Sequence, residues 1–163
     1  MVFPVDTSSP DELVQAVKKL RVKWGRLDIV FANAGINGVW STLDKLSVEE
    51  WRKTLSINLD GTFYTVRAAL ALLKVRGGSV IITSSVNGTR MLSNTGATAY
   101  AISKAGQVAF AKMIAVELAR FRTRVNVVCP GAVATSIDDN TKRAESRIWP
   151  RRSSLPRENP AHG

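Results

Sequence analysis

Short runs rich in β-branched residues alternate with longer stretches of helical period, and this alternation constrains the fold more than any other feature of the sequence. Leu27–Ala32, Ser79–Thr83 and Arg124–Cys129 read as strands. Their nearly continuous apolar character suits strands covered on both faces of a parallel sheet. Met1–Asp6 reads as the end of a further short strand running into a loop. Between the strands, Ser9-Pro10-Asp11-Glu12 combines a capping serine, a first-turn proline and a capping box. Leu13, Val17, Leu20 and Trp24 follow at helical spacing, and Gly25 stops the helix. Ser47–Glu50 is a second capping box, opening a helix through Trp51 and Leu55. Helical spacing resumes from Gly61 to about Lys74, where Gly77-Gly78 forces a turn. A loop rich in Gly, Ser, Asn and Thr, 87–98, precedes a long helix over Ala99–Arg120, and Pro130-Gly131 ends the last strand. Strands alternating with helices predict a right-handed, doubly wound parallel α/β sheet.

With 163 residues the chain has room for one such domain. A composition that is 45% hydrophobic and 22% charged excludes a disordered polymer. The single cysteine, Cys129, excludes an intramolecular disulfide and a multi-cysteine zinc site. The single histidine, His162, is the penultimate residue, so catalytic triads and metal sites that need histidine are not expected. The net charge of +10 raises the question of nucleic acid. Residues 140–163 hold six basic and two acidic side chains, and the remaining excess is spread without a stripe, an RNA-binding aromatic motif or zinc-finger spacing. No nucleic-acid partner is therefore expected. No apolar run reaches the roughly 18 residues of a membrane span, and the first residues lack a signal-peptide plan. The expectation is a cytoplasmic protein without membrane contact. After Asn140 periodicity is lost and prolines recur, so 1–140 reads as the domain and 141–163 as a disordered basic tail.

Chemistry concentrates on Tyr100-x-x-x-Lys104. Positions i and i+4 share a helix face, so phenol and ammonium can converge on one point. A phenol ionises near pH ~10, too high for a base at neutrality, and a nearby cation favours its phenolate. Alone, the pair is more often surface decoration. Its context is richer: Ser85 ends an apolar strand, where ligands bind in doubly wound sheets. Asn33-Ala34-Gly35 follows another strand, Asn58 sits in an apolar helical stretch, and Pro130-Gly131 and Thr135 follow the last strand.

Together with Asp6, these residues resemble the short-chain dehydrogenase/reductase family over roughly Val5 to Asp139. Ser84–Gly88 and Gly96–Tyr100 look closest to glucose 1-dehydrogenase-like or 3-oxoacyl-reductase-like members. The resemblance implies a Rossmann-like fold and an NAD- or NADP-dependent oxidoreductase, moving hydride between nicotinamide and a secondary alcohol or ketone. Tyr100 then resembles the general acid/base. Lys104 would activate it and hold the nicotinamide ribose, Ser85 would orient the substrate carbonyl, and Asn58 would support a proton-relay water. Asn33, Ala34 and Gly35 resemble the stretch beside the adenosine half, and Asp6 the acidic residue at the adenine. Pro130, Gly131, Val133 and Thr135 resemble the carboxamide and pyrophosphate contacts. The family also implies pairing into homo-oligomers through the helices at 59–74 and 99–120. A non-catalytic interaction module is the rival reading.

The sequence departs from the family at both ends. The glycine-rich turn of the Thr-Gly-x-x-x-Gly-x-Gly type, which cradles a pyrophosphate, has no counterpart in the sequence. The first two strands and the last strand are missing, which makes the expected sheet an incomplete one. Met1–Asp6 must then either pair directly with Leu27–Ala32 or stay unattached, and exposed apolar edges favour association with another chain.

Overall fold

The computed structural model describes residues 2–90, 95–133, 137 and 141–143. Its elements are α1 (Pro10–Trp24), β1 (Ile29–Ala32), β2 (Gly38–Trp40), α2 (Val48–Leu55), α3 (Gly61–Leu73), β3 (Gly78–Thr83), α4 (Thr98–Ala119), β4 (Thr123–Val128) and β5 (Thr141–Arg143). A π-helical turn, Ser56–Asp60, joins α2 to α3 without a break, and a 3-10 turn at Val86–Gly88 follows β3.

The two capping boxes form as read. Ser9 Oγ accepts from Glu12 N at 3.4 Å, and Ser47 Oγ accepts from Glu50 N at 3.2 Å. Of the expected apolar face of α1 only Leu13 is buried; Val17 and Leu20 are half-buried and Trp24 is exposed. The main sheet is parallel, in the order β1-β3-β4. Ile82 is the hinge of its register, lying opposite Ala32 on one side and Val127 on the other. Val30, Ala32, Val80 and Ile82 point into a core completed by Val66, Ala69 and Leu73 of α3 and Ala111 of α4. This is the partial α/β, Rossmann-like arrangement that the alternation predicts.

The alternate residues of β1 remain open. Ile29 is 66% exposed and Phe31 58% exposed. Among the described residues β1 pairs only with β3, so its outer edge is free.

Three expectations need correction. First, no strand forms over residues 2–6, which resolves the sequence alternatives in favour of an unattached segment. Local bonds claim that backbone instead: Asp6 N donates to the Glu12 carboxylate at 2.9 Å, and Asp6 O accepts from Ser9 N at 3.0 Å. Second, the segment read as a disordered tail begins with strand β5. Third, Gly38–Trp40, to which the sequence pattern assigns no strand, forms β2. These two strands pair in parallel, Gly38 opposite Thr141 and Trp40 opposite Arg143. Asn37 secures them, its Nδ2 donating to Thr141 Oγ1 at 2.6 Å and to Ile137 O at 3.4 Å. The rest of the proposed tail, 144–163, lies outside the described residues.

Candidate active site

Parallel register brings the carboxyl ends of β1, β3 and β4 to the same side of the sheet. Asn33–Gly35, Ser84-Ser85 and Cys129-Pro130 therefore emerge together. Cross-links between these ends hold them: Thr83 Oγ1 donates to Asn33 Oδ1 at 2.9 Å, and Val86 N donates to Pro130 O at 3.1 Å.

The amino-terminal half of α4 lies against these ends. Ser84 Oγ donates to Lys104 O at 2.7 Å, fastening the end of β3 to the helix. Ser84 is thus structural; the adjacent Ser85 is also buried at the strand end. Ser85 Oγ accepts from Asn87 N at 3.2 Å, which shapes the 3-10 turn and leaves the hydroxyl proton uncommitted in that bond. The Lys104 ammonium is 5.7 Å from the centre of the Tyr100 ring. It is 2% exposed and donates to Thr83 O at 2.8 Å. Burial pulls its pKa down from 10.5 to about 8, because the charged form loses hydration.

Asn58 is the junction of the site. Fully buried, its Oδ1 accepts from Ile36 N at 2.8 Å while its Nδ2 donates to Ile36 O at 2.9 Å. The same Nδ2 reaches Ser103 Oγ at 3.0 Å, and Ser103 Oγ donates to Tyr100 O at 2.7 Å. A direct side-chain route thus runs from the loop after β1 to the helix of Tyr100. Gly35 permits this closeness. A Cβ there would lie 3.1 Å from Asn58 Oδ1 and 3.3 Å from Lys104 Nζ.

Sequence reasoning missed Gln107. Fully buried, it donates through Nε2 to Asn58 O at 2.8 Å and to Thr62 Oγ1 at 2.7 Å. Thr62 Oγ1 also donates to Asn58 O at 2.7 Å. Both donors stabilise the π-helical turn, a feature frequent at functional sites. The available signal was a polar side chain at i+3 from Lys104 and i+7 from Tyr100, on the same face of an apolar helix.

The structure therefore gathers Asn58, Ser85, Tyr100 and Lys104 with Gly35, Asn33 and Pro130. Ala34 is exposed beside them, and Gly131 and Val133 continue as exposed backbone past β4. Asp6 stands apart. Its carboxylate accepts from Ser8 N at 2.8 Å and Ser8 Oγ at 2.7 Å, bonds that hold its pKa below the usual value. Thr135 lies outside the described residues. Among the described residues no cluster of three His, Cys, Asp or Glu side chains could hold a metal.

The sequence profile of the family described as enoyl-(acyl carrier protein) reductase matches residues 1–160. Relatives of that fold and sequence carry the broader family name. The chain belongs to the short-chain dehydrogenase/reductase family. A 3-oxoacyl-(acyl-carrier-protein) reductase of Synechocystis is 35% identical over 83% of this chain and 54% of its own length. Levodione reductase of Leifsonia aquatica is 32% identical over 91% of this chain and 55% of its own. The chain thus spans about half the length of these short-chain dehydrogenase/reductase relatives. Among solved structures, a 3-ketoacyl-ACP reductase from Sinorhizobium meliloti superposes with TM-score 0.81 at 41% identity, covering 92% of this chain and 62% of its own.

A dinucleotide fits part of this site. Ammonium, phenol and serine hydroxyl at converging strand ends form a donor set suited to ribose hydroxyls and a carbonyl oxygen. Asn33 and Ala34 at the end of β1 are exposed. No glycine-rich turn in the sequence serves the pyrophosphate.

Proposed function

We propose that residues 1–140 form the catalytic part of an NAD- or NADP-dependent oxidoreductase that interconverts a secondary alcohol and a ketone. The observation that carries this reading is the buried Lys104 beside Tyr100, facing the ends of three parallel strands. When bound, the nicotinamide supplies or accepts the hydride. Tyr100 gives its phenolic proton to the carbonyl oxygen as an alcohol forms, or takes it back in the reverse direction. Lys104 would donate to the ribose hydroxyls of the nicotinamide half. Ser85 donates a hydrogen bond to the carbonyl and orients it. Asn58 fixes the distance between the β1 loop and α4, so that a relay water has a constant place beside Lys104. Asn33, Ala34, Gly35, Pro130, Gly131 and Val133 would flank the cofactor.

The same reading gives the chain a second copy as partner, through α3 and α4. Met113 and Val116 of α4 are exposed, and a cavity of about 250 Å³ between the helices is lined by Phe63, Val66, Phe110 and Ile114, with Arg67 and Glu117 also lining it. Among the described residues no helix is long and apolar enough to cross a membrane. The reading places the enzyme in the cytoplasm, where the lone Cys129 stays reduced.

Fluorescence titration with NADH and NADPH tests the cofactor, and turnover of a ketone by parent and Tyr100→Phe tests the chemistry. Binding of a reduced nucleotide, with turnover that Tyr100→Phe abolishes, supports the reading. No binding at millimolar nucleotide rejects it in favour of a non-catalytic module.

A further inference from the structure

The paired strands β2 and β5 form a ribbon tied to the candidate site at both ends. At its start, Asn37 follows Ile36, the residue whose backbone Asn58 grips on both sides. At its finish, Ser41 N donates to Gly96 O at 3.1 Å, four residues before Tyr100. The ribbon therefore borders the amino-terminal turn of α4, on which the phenol stands.

One cation on this ribbon lies over an aromatic ring. Arg143 is the register partner of Trp40, and its guanidinium carbon lies 5.4 Å from the indole centre. A guanidinium over an aromatic face is attracted to the ring and keeps edge N–H groups available to donate. The described residues place no carboxylate within ion-pair distance of it. The neighbouring Lys142 projects to the opposite face of the ribbon, because strand side chains alternate. A planar fork with open donors matches a carboxylate or phosphate, which can take two parallel hydrogen bonds.

We propose that Arg143, lying over Trp40, is a specificity-determining residue that selects ketone or alcohol substrates bearing a carboxylate or phosphate group. The inference rests on the proposed oxidoreductase reading for the placement of the reacting carbon near Tyr100. It assigns the anion to the ribbon and the carbonyl to Ser85 and Tyr100. Selection of this kind acts through binding, since the ribbon holds the part of the substrate remote from the reaction.

The test is direct binding of 5-oxohexanoate and of its methyl ester to the full chain by calorimetry, without cofactor. Parent protein is expected to bind the carboxylate about tenfold more tightly than the ester, a typical gain from one charge-assisted pair near the surface. Arg143→Gln is expected to bring the two constants together, while Lys142→Gln keeps them apart. Equal affinity in the parent, binding of neither compound, or an equal loss of preference in both variants overturns the proposal. Nicotinamide titration is scored separately. If NADH binds and the anion preference is absent, only this inference falls; if the preference is present and no nucleotide binds, the oxidoreductase reading falls and takes the substrate role of Arg143 with it, leaving an anion site alone.

Discussion

Replacing Lys104 with methionine should change stability in opposite directions at neutral and alkaline pH. The lysine is 2% exposed, and its pKa in the folded chain is about 8 against 10.5 for an unburied side chain. Keeping it charged in the fold therefore costs about 3 kcal/mol at neutral pH. Because the folded value lies below the unfolded one, the unfolded chain binds more protons between them, and stability rises with pH across that window. The full penalty applies below pH 8 and fades as the pH approaches 10.5. Against it stands the bond from Nζ to Thr83 O at 2.8 Å, whose loss costs about 1–3 kcal/mol. Lys104→Met should thus stabilise the chain by about 1 kcal/mol at pH ~7, where removal of the buried charge outweighs the lost bond. Between pH ~7 and ~9.5 the parent should gain about 2 kcal/mol on the variant, since its amine discharges and still donates to Thr83. Urea denaturation of both proteins at the two pH values measures the difference, and groups common to both cancel. A variant less stable at both pH values, or a difference independent of pH, would refute the reasoning. Activity is expected to be lost throughout, so a gain in stability alongside that loss marks a functional lysine rather than a structural one.

Other expectations follow from the packing. Gly88→Ala should lose at least 2–3 kcal/mol in urea denaturation, about the cost of overpacking a closed contact. The new Cβ would sit 2.5 Å from Lys104 C and 2.6 Å from Ala105 N, which are backbone atoms unable to swing aside. Asn58→Ala should lose about 3 kcal/mol or more by the same assay, since Ile36 N, Ile36 O and Ser103 Oγ all lose their Asn58 partner; a loss below about 1 kcal/mol would show that water replaces it. The double variant Ile29→Lys/Phe31→Lys should reduce light scattering on heating while changing stability by less than about 0.5 kcal/mol, because both side chains are already exposed. Unchanged scattering would mean that the open sheet face does not drive association.

Local signals made the main elements legible. Ser9 and Ser47 mark helix starts through bonds that span three residues, and β-branched runs mark β3 and β4 because both strands lie inside the sheet or beside its core. The pairing of Tyr100 with Lys104 was legible for the same reason, being one helical turn. What escaped depends on distant partners. Gly38–Trp40 is a strand only because Thr141–Arg143, about a hundred residues later, lies beside it. Residues 2–6 have a strand-like pattern and, among the described residues, no strand to pair with, so capping bonds to α1 decide their conformation. Gln107 and the π-helical turn define each other, since the turn positions Asn58 O between two donors that no spacing rule anticipates.

The grip of Asn58 on Ile36 has a further consequence for motion. A carboxamide that donates to a residue's carbonyl and accepts from its N–H does what a neighbouring strand would do. The chain beyond β1 is thereby laddered to a side chain rather than to a sheet. Opening of the sheet edge at β1 need not release it, whereas unwinding of the turn at Ser56–Asp60 must. The Ile36 amide should therefore exchange with solvent in step with the amides of that turn and more slowly than those on the free edge of β1. The floor of the site then opens and closes as part of the helical layer, with the strand that leads into it left as a follower.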